Sequence, residues 1–184
     1  MYKRQDIVDS KAAIEGTFLQ FLVRMETQHN VTVAIVHTDN DTTLINKQTR
    51  KKLERRGTVF EASTPFTAHQ NGVAESSNRL NETRTRCMVN GAPHLPKALW
   101  PYAARYSIDV LNHTPTTAVA DDKTPRQLVL EHMQFANPVP NLSSIRKYGE
   151  LGFVHRPAQR RVKGAKFDSR ATEMYFVGRK GSRI

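Results

Sequence analysis

Two carboxylates have the type and position to do chemistry. Asp39 lies in "HTDND", just after the apolar run "VTVAIV" at 31–36, and Glu75 lies in "QNGVAES". Thirty-five residues separate them. Magnesium-type cations take hard oxygen ligands, and two such ions ~3.5–4 Å apart activate one oxygen and stabilise another in phosphoryl transfer. In open α/β sheets such sites form beyond the carboxyl ends of strands, which is where Asp39 falls. Plainer roles are also open to both residues. An Asp after a strand commonly shapes a turn, and a Glu in a first helical turn answers the helix dipole. Spacing alone leaves both readings standing.

The elements that must position these residues follow from hydrophobic periodicity. Ile14, Phe18, Phe21, Leu22 and Met25 recur at three- and four-residue steps, so 10–28 reads as an amphipathic helix with Asp9 or Ser10 as N-cap. The run at 31–36 reads as a strand buried on both faces. Residues 44–56 form a charged surface helix closed by Gly57, and 58–63 form the next strand. "FTAHQNG" is loop. A helix over 73–90 carries Val73, Leu80, Cys87 and Met88 along one side. Another over 96–112 buries Leu99, Trp100, Ala103, Ile108 and Leu111, and a short helix covers 124–133. The alternation argues for an α/β layered core over 1–135. Pro138 and Pro140 mark a linker over 136–145, and strand-like runs over 146–184 predict a small β-rich segment.

Charge narrows the partner class. The chain of 184 residues carries a formal charge of +11. Eleven lysines and arginines against three acids lie between 146 and 184, so the excess is concentrated there. Such a surface attracts polyanions, and nucleic acid is the leading partner. Arg156, Arg160, Arg161 and Lys163 are the candidate phosphate contacts; a solvated basic tail is the plain alternative. Cys87 is the single cysteine, which excludes an intrachain disulfide or a multi-cysteine zinc site. No apolar run reaches ~18 residues, and the N-terminus lacks a signal-peptide core, so an intracellular protein without a membrane span is expected.

The residues around the two carboxylates carry a specific resemblance. Thr38, Asp39 and Asn40 are followed by Ser63, Pro65, Thr67, Gln70, Asn71, Gly72, Val73, Glu75, Asn78 and Arg79. Arg86, Met88, Leu95-Pro96, Trp100, Leu111-Asn112, Thr114-Pro115 and Lys123-Thr124-Pro125 continue in register. This pattern resembles the integrase catalytic core in the Pol polyprotein of copia-type retrotransposons, within the retroviral-type integrases of RNase H-like fold. "KFDSR" at 166–170 and "YFVG" at 175–178 resemble the SH3-like segment that follows such a core.

The resemblance implies a mixed sheet with flanking helices and a basic SH3-like C-terminal segment. It implies that Asp39 and Glu75 are the second and third catalytic carboxylates, holding Mg2+ or Mn2+. Gln70 and Asn71 would lie in a loop beside them, and Arg79, one turn after Glu75, would face DNA. The implied function is DNA integration, joining element ends to target DNA in the nucleus, with RNA as a chemically similar ligand and a homo-oligomer as the working form. The family's first catalytic Asp lies upstream of the first helix, and this sequence is expected to begin too late to include it. Asp6 and Asp9 are poor substitutes. Asp41 stands where the family has Gly, Ser76 where it has Arg and Ala68 where it has Pro. A chain with an incomplete triad is expected to have no strand-transfer activity alone. A nucleic-acid-binding remnant without chemistry is the second reading.

Overall fold

A computed structural model of the chain describes residues 3–38, 46–62, 72–117, 120–157, 159 and 167–179. Helices α1 (Ala13–His29), α2 (Lys47–Arg55), α3 (Gly72–Asn90), α4 (Trp100–Asn112) and α5 (Pro125–His132) and strands β1 (Ile35–Thr38), β2 (Val59–Ala62), β3 (Leu151–His155) and β4 (Ala171–Tyr175) follow in the order α1-β1-α2-β2-α3-α4-α5-β3-β4. The chain divides into two compact units, one of residues 5–80 and the other built mainly from 81–183, and the division falls inside α3.

In the first unit, β1 and β2 pair in parallel, Ile35 with Val59 through Thr38 with Ala62. Parallel neighbours require a crossover, and α2 provides it. Asn46 starts α2: its side-chain oxygen accepts from the Thr49 amide at 2.8 Å, satisfying one free N–H of the first turn. Thr49 and Leu53 form the buried face of α2, and Leu22 is the fully buried residue of α1. Burial of each leucine contributes roughly 2 kcal/mol. Gly57 reverses the chain after α2 at φ +71°, a conformation open to glycine without a Cβ clash. Thr58 then donates its hydroxyl to the Val33 carbonyl at 2.9 Å, fixing the approach of the two strands.

Two local expectations differ here. The N-cap of α1 is Ala12, and neither Asp9 nor Ser10 caps it by a side chain, because a preceding turn already uses the Ser10 and Lys11 carbonyls to hold Ala13 and Ile14. β1 starts four residues later than the sequence suggests and is not buried on both faces: Ile35 is 55% exposed. Residues 31–34 are irregular. A two-stranded sheet covers few of its own side chains, which leaves this β-branched run half open.

The second unit packs Ala92, Ala103, Tyr106 and Tyr148 together, with Met88, Val89, Leu95, Val110, Phe176 and Val177 around them. β3 and β4 pair antiparallel, Leu151 with Tyr175 through His155 with Ala171. The chain enters β3 and leaves β4 against α4. Tyr106 stacks edge-on against Phe176 with centroids 5.1 Å apart, and its hydroxyl donates to the Arg146 carbonyl at 2.5 Å. Gly149 sits at φ +79°, and a Cβ there would come within 2.5 Å of that of Ala92. Trp100 is 51% exposed and not part of the core, because α4 begins at that residue and its buried side starts at Ala103. Among the described side chains of α3, Asn81 and Thr85 are buried, while Leu80 and Cys87 are exposed.

Candidate active site

The carboxyl ends of β1 and β2 lie at one edge because the strands are parallel. Thr38 closes β1 beside Ala62, the last residue of β2. Asp39 is the next residue after Thr38 in the chain and lies outside the described residues, as do Gln70, Asn71, Arg160, Arg161 and Lys163. Glu75 is described: it occupies the first turn of α3 and its side chain is exposed. Among the described residues no cation pairs with Glu75, so its oxygens are available to a hard cation or to water.

Arg79 follows Glu75 by four residues, one turn along α3, and is exposed. The side chain of Arg156 is engaged within its own hairpin. Its Nη2 donates to Thr172 Oγ1 at 3.3 Å, and its backbone N–H donates to the Arg170 carbonyl at 2.7 Å. Arg156 is therefore held across the β3–β4 pair. No group of three or more His, Cys, Asp and Glu able to hold a metal occurs among the described residues. Asp39 and Glu75 are carboxylates, the ligand type that suits Mg2+ or Mn2+ in chemistry.

One pair at the same strand edge was not legible beforehand. His37 and Glu61 are register partners, with Nδ1 and Oε2 3.8 Å apart, and attract one another when the histidine is protonated. The register of two strands separated by a helix has no local sequence signal. A second polar cluster, in the other unit, joins Arg179 to Asp109, Ser144 and His113: Arg179 Nε donates to Asp109 Oδ2 at 2.7 Å, and Nη2 lies 3.4 Å from His113 Nε2.

No family model matches the sequence. The chain is 24% identical over 172 residues to the retrovirus-related Pol polyprotein of transposon TNT 1-94 from Nicotiana tabacum, covering 94% of this chain and 12% of that protein. Similarity to the retrovirus-related Pol polyprotein of transposon RE1 from Arabidopsis thaliana is 22% over 169 residues, or 91% of this chain and 11% of that protein. The chain thus spans only about an eighth of the curated relatives it matches. A chain from the electron cryomicroscopy structure of the simian T-cell lymphotropic virus intasome with PP2A regulatory subunit B56 gamma aligns at TM-score 0.54 and 15% identity, over 90% of this chain and 53% of that one. The likeness to copia-type Pol polyproteins drawn from the motifs is borne out, and the mixed α/β architecture is shared with a chain of a retroviral intasome. Among the described residues no helix is long and apolar enough to cross a membrane.

Proposed function

We propose that this chain is a portion of a retrotransposon integrase that binds DNA and contributes Asp39 and Glu75 to metal-dependent joining of element ends to target DNA. The observations that carry this reading are the parallel pairing of β1 and β2, which sets their carboxyl ends side by side with Asp39 next in sequence after Thr38, and the exposed Glu75 in the first turn of α3 in the same unit. A divalent Mg2+ or Mn2+ bound there supplies electrostatic stabilisation of the phosphoryl oxygens. The residues themselves do the rest. Glu75, fixed by the first turn of α3, presents an acceptor oxygen at a defined place. Arg79, one turn on, offers a cation to a DNA phosphate, and Gln70 and Asn71 offer amides to the same strand. The β3–β4 pair is the start of an SH3-like segment whose basic residues Arg156, Arg160, Arg161 and Lys163 add sequence-independent affinity. The site of action on this reading is the nucleus, as a homo-oligomer on DNA.

A second reading, nucleic-acid binding without chemistry, is favoured by the formal charge of +11, which attracts phosphate whether or not a metal binds. Metal binding separates the two. Titration with Mn2+, followed by the loss of the free-ion electron paramagnetic resonance signal, is expected to show a saturable site in the parent chain. Asp39→Asn and Glu75→Gln should each weaken it by at least about tenfold, the effect of losing ~1.4 kcal/mol. Equal Mn2+ uptake by parent and both variants overturns the carboxylate assignment and leaves the second reading.

A further inference from the structure

Helix α2 and its C-cap carry six cations, Lys47, Arg50, Lys51, Lys52, Arg55 and Arg56, against one acid, Glu54. The helical period divides them into two sets. Lys52 and Arg56 border the buried face formed by Thr49 and Leu53, and both are neutralised by α1: Lys52 Nζ lies 2.9 Å from Glu15 Oε1, and Arg56 pairs with Glu26. Lys47, Lys51 and Arg55 follow one another at four-residue steps on the opposite, exposed side. None of the three has an acidic partner among the described residues. Arg50 flanks the row with its guanidinium carbon 5.2 Å from the centre of the Phe60 ring.

The inner cations explain themselves as packing partners of α1, and the outer ones do not. Like charges at four-residue steps weaken a helix, so stability alone would favour alternating signs on that face. The row has the geometry of a ligand site for a regular polyanion. At about 1.5 Å rise per residue it spans ~12 Å, over which one strand of a duplex presents three or four phosphates. We propose that Lys47, Lys51 and Arg55, with Arg50 beside them, dock the phosphate backbone of duplex nucleic acid. This contact shares its partner class with the integrase reading but is independent of metal binding at Asp39 and Glu75. Its occupant is chosen by charge complementarity: a row of strong donors with one acid among them suits closely spaced phosphates.

The test is the salt dependence of the full chain's affinity for a short random-sequence duplex, measured by fluorescence anisotropy between ~50 and ~200 mM NaCl. Each phosphate contact adds about 0.9 to the slope of log K against log salt, so the triple variant K47Q/K51Q/R55Q is expected to flatten it by about 2.7. A control triple, R24Q/K97Q/R105Q, removes the same charge from scattered exposed positions and should change the slope by less than about 1. Mn2+ uptake by K47Q/K51Q/R55Q should match the parent's, so a failed metal assignment and a failed strip are told apart. The inference is overturned if the strip variant keeps the parent's slope, or if both triples flatten it equally. It is also overturned if polyglutamate, and not DNA, loses affinity for the strip variant, since the partner would then be an acidic protein.

Discussion

At the scale of single residues, Glu15 shows how one side chain secures a neighbouring element. Its carboxylate accepts from Asn46 Nδ2 and Lys52 Nζ, both at 2.9 Å, and Asn46 uses its other side-chain atom to cap α2. These hydrogen bonds, that from Asn46 first, pull the Glu15 carboxyl down from its ordinary 4.5 to about 2. A carboxylate with a depressed folded-state pKa stabilises the fold above the unfolded value, and that contribution drains away as pH falls from 4.5 toward 2. Glu15→Gln should therefore lower the urea midpoint at neutral pH and flatten its acid-side decline over that window. Asn46→Ala should remove about 1 kcal/mol through loss of the cap. An unchanged acid profile in the Gln variant would show that the carboxylate is not held as described.

At the scale of elements, the docking of the β3–β4 hairpin on α4 rests on a few polar anchors in an aromatic setting. Tyr106 both donates to the Arg146 carbonyl and accepts from its amide, at 2.5 and 2.9 Å. Burial raises the pKa of Tyr106 and of Tyr148. A raised folded-state pKa means that the stability they contribute is intact below the unfolded value and is lost as pH climbs through the folded one. Tyr106→Phe should cost about 2 kcal/mol by leaving the Arg146 backbone groups unpaired, and should soften the alkaline loss of stability. Urea midpoints at neutral and alkaline pH check both expectations. Sequence patterns reached α4 because its apolar period is strong at Ala103, Ile108 and Leu111. They misplaced Trp100, which sits at the helix start where the period says nothing about burial. They also missed Asn81 and Thr85, since polar residues on a buried face break the apolar signal of α3. The bond between Arg179 and Asp109, seventy residues apart, has no signal in local pattern at all. The likeness to copia-type Pol polyproteins was legible for another reason: a motif carries resemblance even where periodicity is silent.

For the whole molecule, the charge of +11 sets binding and stability against each other. Self-repulsion weakens a compact state, and salt relieves it as the screening length falls from ~10 Å at 0.1 M to ~3 Å at 1 M. Rising NaCl should therefore raise the melting temperature of the free chain while lowering its affinity for DNA. The two sets of cations on α2 should respond in opposite senses when neutralised. Removing the outward row in K47Q/K51Q/R55Q relieves repulsion without disturbing packing, so its low-salt melting temperature should exceed the parent's and the gap should close as salt rises. Lys52→Gln breaks the pair with Glu15 and should melt lower than the parent at low salt. Thermal melts of the three proteins across a salt series measure this directly. A low-salt melting temperature below the parent's for the outward-row variant would mean that those cations hold the fold together, and their retention would then need no polyanion partner.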